Sequence, residues 1–359
     1  MAAAKTKRIL FTGYAPVHFV CFRPLYERLI KLPDVEVFVS GGQRIQTGDG
    51  DRHDAQALYE PFGIPRDQIL SVEEIQTQDF NMSFTASANL FPPRDAGIRV
   101  QIFHGISFRN RQIREQTMNY DFYFIIGPYM HRKFMERGLL EEGDPRGLKI
   151  GFPKTDRLLN GELKREDLLR RYGLDGSRPV ILYAPTGERH NSLDTMGEDV
   201  IRRLAESGRY DLLIKLHDHP HDTSIDWASR LAGLEDAHMR LVRDLDVIPL
   251  LFLADLLITD ASSVSNEYSL LNRPMVFLDV PKLIKKAMEK KGASVDLDTW
   301  GRKGGVIAKK PEDIVEVVRS SLSEPARYSD IRIAMAKDLF YNPGTATKKA
   351  VDWLQSKLP

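Results

Sequence analysis

Short apolar runs recur along this chain at intervals that leave room for a helix, and this alternation constrains the fold more than any other feature. In the first half the runs are Arg8 to Thr12, Val35 to Ser40, Arg99 to Phe103 and Asp121 to Ile126. Helical patterns lie between them at Leu25 to Lys31 and Tyr129 to Arg137. After a short strand at Leu148 to Phe152, a polar run and a helix at Asp167 to Tyr172, a second series follows: Val180 to Ala184, Asp211 to Leu216, Met239 to Val242, Leu256 to Thr259 and Met275 to Leu278. Helices close the chain at Pro311 to Leu322, Tyr328 to Leu339 and Thr345 to Lys357. Strands alternating with helices build βαβ units on a parallel sheet. The expectation is an α/β protein of two doubly wound domains, 1–160 and 161–335, with a final helical segment, 336–359, packing back toward the first. Gly41 to Gly97, rich in Gln, Asp, Pro and Ser with weak periodicity, reads as loops and short helices. Ligands of doubly wound sheets bind at the carboxyl ends of the strands, so a ligand is expected between the domains.

At 359 residues the chain is long enough for two cores. A net charge of +1 argues against a nucleic-acid partner, which calls for a strongly basic domain. The single cysteine, Cys21, excludes an internal disulfide and fits a reducing compartment. In the N-terminal MAAAKTKRILFTG the apolar run Ile9 to Phe11 is too short for a signal-peptide core and reads as a first strand. No segment approaches the ~20 apolar residues of a membrane span, and the expected location is the cytoplasm.

Four polar clusters directly follow strands. One is His104-Gly105-Ile106-Ser107-Phe108; a second is Pro185-Thr186-Gly187-Glu188-Arg189-His190. The third is His217-Asp218-His219-Pro220-His221-Asp222, and the fourth the turn Asp260-Ala261-Ser262-Ser263 within LLITDASSVSNEYSLLNRPMVFLD, Leu256 to Asp279. Small hydroxyl residues at a strand-to-helix turn put side-chain donors and free backbone N–H groups where an anion is favoured, though the two serines can equally serve as helix caps. Thr186 and Arg189 offer a hydroxyl and a guanidinium to an anion, or form a solvated surface turn. His104 is a candidate general base, with Gly105 leaving room for a substrate; the alternative is a histidine hydrogen-bonded at a strand end. The HDHPHD run matches no zinc spacing and Pro220 blocks the helix that an HExxH site needs, so a phosphate-facing His217 is preferred and no metal or cofactor is expected. Glu267, one turn into the helix after Ser263, either accepts from a ribose diol or pairs with a surface cation. Lys282, Lys285, Lys286, Lys290 and Lys291 in PKLIKKAMEKKG flank a narrow apolar stripe of Leu283, Ile284, Ala287 and Met288. Such a helix can touch an anionic membrane surface, but a solvated helix face is the preferred reading.

Taken in order, these segments resemble the CDP-glycerol glycerophosphotransferase family, the enzymes that prime and polymerise teichoic acids. His104-Gly105 resembles the family's HG-T-P-L-K signature, GFPKTDRLL at Gly151 to Leu159 its G-x-P-R-x-D segment, and ILYAPT at Ile181 to Thr186 its Y-A-P-T-W-R turn. The strand ending at His217 resembles L-x-H-P, and Ile258 to Asp279 resembles I-T-D-Y-S-S-V-x-x-E-Y-x-x-L-x-K-P. The resemblance implies the GT-B fold, two Rossmann-like domains with the donor nucleotide held mainly by the C-terminal one and the acceptor side in the first. It also implies His104 as the base that deprotonates an acceptor hydroxyl, with His217, Thr186, Arg189, Ser262 and Ser263 on the donor diphosphate and CMP as leaving group.

Three departures stand out. Ile106-Ser107-Phe108-Arg109 replaces Thr-Pro-Leu-Lys, which leaves Arg109 as the acceptor-side cation. Ala261 stands where the family has tyrosine, and Gly187-Glu188 displaces Arg189 by one position. The partners implied are a CDP-linked donor (CDP-glycerol or similar) and a glycan or lipid-linked acceptor, with peripheral contact at the inner face of the membrane as an option and the oligomeric state open. The length favours single transfer over polymerisation. The competing readings are an NDP-sugar-dependent GT-B glycosyltransferase or 2-epimerase-type enzyme, and a non-catalytic nucleotide-binding scaffold.

Overall fold

The computed structural model describes residues 6–47, 50–87, 91–217, 225–290 and 295–358. It forms two compact units. The first comprises 1–105, 112–156 and 339–359; the second comprises 106–111 and 157–338. The simple division near residue 160 is therefore corrected in one respect: Ile106–Arg111, expected in the first domain, packs with the second unit.

The first unit carries β1 (Lys7–Gly13), β2 (Val35–Gly41), an antiparallel pair β3 (Gln43–Thr47) and β4 (Gly50–Asp54), then β5 (Met82–Thr85), β6 (Ile98–Gln101), β7 (Phe122–Phe124) and β8 (Gly147–Leu148). Its main sheet runs β2-β1-β5-β6-β7-β8 with every pairing parallel. Strand β5 corrects the reading of Gly41 to Gly97 as loops and short helices. Its MSFT is short and half polar, so no period emerges from it, yet it lies mid-sheet, where neighbours on both sides satisfy its backbone. The strand expected at Leu148 to Phe152 shrinks to β8, because Gly151 adopts φ +99° and a helical turn begins at Pro153.

The C-terminal helix Ala346–Lys357 belongs to this unit. Asp156 accepts from the N–H groups of Ala346 (3.1 Å) and Thr347 (2.7 Å), closing the helix start, and Trp353 packs edge-on against Phe122 and Phe124. The Asn342 side-chain amide donates to the carbonyls of Lys149 (2.8 Å) and Ile150 (3.0 Å).

The second unit carries β9 (Val180–Tyr183), β10 (Asp211–Ile214), β11 (Met239–Leu241), β12 (Leu256–Thr259), β13 (Met275–Leu278) and β14 (Val306–Ala308). They form a wholly parallel sheet in the order β11-β10-β9-β12-β13-β14. Every residue of β9, β10, β12 and β13 is buried, which is why these strands read as continuous apolar runs. Alternation of side chains gives each face its own core. Ile181, Tyr183, Leu212, Ile214, Leu256 and Ile258 meet Val200, Ile201 and Leu204 of helix Glu198–Glu206. Val180, Leu182, Leu213, Leu257 and Phe277 meet Leu250, Leu251 and Leu253 of helix Ile248–Leu253. Each such side chain contributes about 1.5–3 kcal/mol by leaving water.

The lysine-rich helix is Pro281–Glu289. Leu283 and Ile284 of its apolar stripe are buried against Phe108, Ala261 and Val280, whereas Ala287 is half-buried and Met288, Lys282, Lys285, Lys286 and Lys290 are exposed. Lys291 lies outside the described residues. Among the described residues no helix is long and apolar enough to cross a membrane.

In each sheet the strand order reverses once: between β1 and β5 in the first, and between β9 and β12 in the second. Loops leaving the carboxyl ends of the two strands that flank a reversal diverge, and the crevice they leave is where open α/β sheets take ligands.

Candidate functional site

In the second unit the loops at the reversal follow β9 and β12, and they carry Thr186 and the serine turn. Their geometry depends on Asp260, at the end of β12 and wholly buried. Its Oδ1 accepts from the Thr186 N–H (3.0 Å) and the Ala261 N–H (2.5 Å), and its Oδ2 accepts from the N–H (2.9 Å) and O–H (2.8 Å) of Ser192. One carboxylate thus holds both loops in register. Because the Ser192 proton is committed to Asp260, the Tyr183 hydroxyl, 2.8 Å away, donates to Ser192 Oγ. Burial pushes the Tyr183 phenol well above its ordinary range, which keeps it protonated for that task.

Thr186 is buried, and its Oγ1 accepts from Arg109 Nη2 at 3.3 Å. Arg109, expected as an acceptor-side cation, sits in the second unit, bonded to a residue of the β9 loop. Three contacts bring it there. The Asn266 side-chain amide donates to the Ile106 carbonyl (2.7 Å), the Asp296 N–H donates to the Phe108 carbonyl (2.7 Å), and the Phe108 ring fills an apolar pocket lined by Ala261, Val280, Leu283 and Ile284. Phe108 and Ala261 share this cluster, so the small residue at 261 and the aromatic at 108 pack against each other.

The Arg109 side chain is 12% exposed, and its Nε and Nη1 are buried with no hydrogen-bond partner among the described residues. Glu188 Oε1 lies 3.5 Å from Nη1, an ion-pair distance, and also pairs with Arg111. Burial, and then the nearby Arg111, depress the proton affinity of Arg109, while Glu188 and Asp260 oppose the shift. A guanidinium nevertheless remains charged in proteins, so two of its N–H directions carry charge without a bound acceptor.

Ser262 and Ser263 are half-buried. Ser263 precedes the five-residue helix Val264–Tyr268 and makes no side-chain capping bond, while Ser262 Oγ is 3.5 Å from the Val264 N–H, the limit for such a bond. Helix capping alone therefore does not account for the pair. Glu267 is 2% exposed, so its side chain lies inside the unit rather than on its surface. His217 is brought to the β9 loop through Gly187: a Cβ there would come within 2.8 Å of the imidazole Cγ and Nδ1, so only glycine leaves space for the ring. Arg189 is exposed; the guanidinium at Thr186 is that of Arg109. Asp218 to Asp222 lie outside the described residues, and no group of three or more metal-ligating side chains occurs among those described.

In the first unit His104 follows β6, whose neighbour β5 borders the reversal. Its Nδ1 lies 2.5 Å from the Ala86 carbonyl and its Nε2 3.0 Å from the Gln112 amide nitrogen. A carbonyl only accepts, so Nδ1 carries the proton and Nε2 the lone pair. The His18 ring lies 4.9 Å from that of His104, and its own Nδ1 accepts from the Tyr14 N–H at 3.1 Å. Burial lowers the His104 pKa, the Ala86 bond opposes this, and the positive charges of Lys154 and Arg114 lower it further. The ring is therefore neutral at pH 7, with its Nε2 lone pair facing the Gln112 amide. Gly105, at φ +150°, permits the backbone turn that follows.

Thr186, Arg109, His217 and, through Asp260, the serine turn thus come together in one unit, and His104 with Gly105 lies in the other. Asp260 as anchor, Ser192, His18, Ala86 and Gln112 were not singled out from the sequence as site residues. Asp260 had a signal, since a lone acid between a buried strand and two small residues has to find donors. Gln112 had none.

A curated relative from Bacillus spizizenii (strain ATCC 23059 / NRRL B-14472 / W23), the teichoic acid glycerol-phosphate primase, is 34% identical over 134 residues, 36% of this chain and 33% of the relative. The chain spans about a quarter to a half of the length of the curated relatives it matches. Among solved structures, the wall teichoic acid polymerase TagF aligns with a TM-score of 0.68 at 17% identity, covering 98% of this chain and 88% of that one. A UDP-N-acetylglucosamine 2-epimerase from Listeria monocytogenes, described as putative, aligns with a TM-score of 0.61 at 17% identity, covering 99% and 96%. These likenesses concern the fold, the GT-B class of two Rossmann-like sheets. The sequence pattern of one family covers 93–355, a span that takes in the turns after β6, β9 and β12, and the chain belongs to the CDP-Glycerol:Poly(glycerophosphate) glycerophosphotransferase family.

Proposed function

We propose that this chain moves a glycerol phosphate-like, polyol phosphate group from a CDP-linked donor to a hydroxyl of a cell-surface glycan or lipid-linked acceptor, releasing CMP. The observation that carries the reading is the buried Arg109 guanidinium, with Nε and Nη1 unbonded beside the Thr186 hydroxyl at the β9/β12 reversal. A buried cation with unspent donors is stabilised by a phosphate, which accepts through several oxygens at once. Membership of the family gives that phosphate its chemistry.

In this reading the second unit is the donor side. Arg109, Thr186, Ser262, Ser263 and His217 hold the diphosphate of CDP-glycerol or a similar compound, with Arg109 in the place expected of Arg189, and Glu267 takes the ribose. The first unit is the acceptor side. His104 Nε2 takes the proton of the acceptor hydroxyl, and that oxygen forms a bond to the β-phosphorus. The bond from this phosphorus to the bridging oxygen breaks, and CMP leaves with the electron pair. Negative charge grows on the phosphoryl oxygens and the departing phosphate, where preorganised donors act. Transfer at the cytoplasmic face of the membrane, where lipid-linked acceptors are presented, completes the proposal.

The test is product analysis of purified protein with CDP-glycerol, CDP-ribitol and NDP-sugars plus candidate acceptors. CMP released from a CDP-alcohol, and lost in Arg109→Met and His104→Ala, is the expected result. NDP released from a sugar nucleotide would move the chain to glycosyl transfer, and tight donor binding without turnover in any mixture would make it a scaffold.

A further inference from the structure

Gln112 belongs to no motif, yet its side chain touches the ring nitrogen that His104 would use as a base. The Ala86 carbonyl pins the ring proton on Nδ1, so at neutral charge Nε2 can only accept, and only the amide N–H of Gln112 can satisfy it. In this arrangement Gln112 Oε1 is buried with no hydrogen-bond partner among the described residues. A half-turn of the amide therefore breaks no bond at the oxygen, and it exchanges the N–H facing Nε2 for a carbonyl oxygen. The His18 ring and the two cations near His104 cannot receive a proton from it in this way. The His18 ring at 4.9 Å has its Nδ1 committed to the Tyr14 N–H, and Lys154 and Arg114 are cations that penalise a second positive charge.

We propose that Gln112 is a positioning residue that follows the protonation state of His104, donating through its amide N–H to Nε2 of the neutral ring and accepting through Oε1 from Nε2–H of the imidazolium. A general base has to be held in one orientation before it takes the proton and stabilised after it has done so. Gln112 provides both with one rotatable group and no net charge, its N–H giving up the Nε2 lone pair when the acceptor hydroxyl takes that place. A hydrogen bond to the charged ring is the stronger of the two, so the amide favours the imidazolium on balance and offsets part of the penalty of burial.

The inference rests on the proposed role of His104, but its test reads the ring without turnover. Transfer activity that is absent while the titration behaves as expected would count against the function and not against Gln112. The full chain is labelled with 15N-histidine and titrated by long-range proton–nitrogen correlation, with His104→Asn identifying the resonance. The wild type is expected in the Nδ1–H tautomer. In Gln112→Leu the same tautomer persists, because Ala86 still pins it, and the proton affinity of His104 falls about tenfold. In Gln112→Glu, whose carboxylate can only accept, the affinity rises by at least about tenfold. An unchanged or higher affinity in Gln112→Leu, or no rise in Gln112→Glu, overturns the proposal. Should the leucine variant fail to fold, the glutamate variant decides alone.

Discussion

Asp260→Asn changes one atom and should be among the costliest single substitutions in the second unit. The wild-type carboxylate accepts four hydrogen bonds, two at each oxygen, from Thr186 N–H, Ala261 N–H and the N–H and O–H of Ser192. An asparagine turns one of its two acceptor faces into an NH2 group, which then points at two donors. Whichever way the amide sits, two bonds to a charged acceptor are lost inside a region that water does not reach. At roughly 1.5–3 kcal/mol for each such bond, the loss is about 3–6 kcal/mol. That is a large fraction of the ~5–15 kcal/mol that holds a typical protein folded. Ser192→Ala is the control: it removes one donor to Asp260 and the Tyr183 acceptor while leaving the carboxylate and its other three bonds, and should cost about 1–2 kcal/mol. Urea midpoints for the three proteins give the differences, and amide hydrogen exchange at Thr186, Ser192 and Ala261 locates them. A loss below about 1 kcal/mol in Asp260→Asn, or unchanged protection of the Thr186 and Ser192 amides, would refute the reasoning. Donor affinity should fall in the same variant, because the two anion-facing loops lose their common anchor.

Phe108→Ala should cost about 3–5 kcal/mol by leaving a cavity beside Ala261 and Leu283, and calorimetry should show weaker CDP-alcohol binding because Arg109 loses the anchor next to it. Arg332, 1% exposed, donates to the Asn272 side-chain oxygen (3.0 Å) and to the Asn272 (3.3 Å), Gly304 (3.5 Å) and Pro325 (2.5 Å) carbonyls. Arg332→Met preserves the stem but strands these acceptors, and denaturation should register a loss of about 3–5 kcal/mol. His104 has a folded pKa below its unfolded value of about 6.5, so between the two the unfolded chain binds more protons and stability falls as pH drops through that window. His104→Ala should flatten that part of the stability–pH curve, and an unchanged slope would show that the ring is not buried in neutral form.

Much of the architecture was legible because burial on both faces leaves a direct trace in sequence. Strands β9, β10, β12 and β13 are buried at every position and apolar at all but Asp211 and Thr259, at strand ends, and their boundaries were found to within about two residues. Strand β5 escaped for the opposite reason: Met82–Thr85 has no intrinsic pattern, and only hydrogen bonding to β1 and β6 makes it a strand. The turn residues were visible as candidates because they follow strands. Their partners were not, since Arg109 and Thr186 stand 77 positions apart and Asp260 and Ser192 stand 68 apart.

The sequence by itself determined the class of fold, the polar turns at the strand ends and the residue types fit for a phosphate and a proton. Those follow from local chemistry: apolar runs, small residues at turns, a histidine before a glycine. The tertiary structure alone decided which cation meets Thr186, whether Asp260 binds a ligand or braces two loops, and which nitrogen of His104 holds the lone pair. Each of these depends on contacts that close only when strand order brings distant segments together, and a linear pattern carries no record of distance in space.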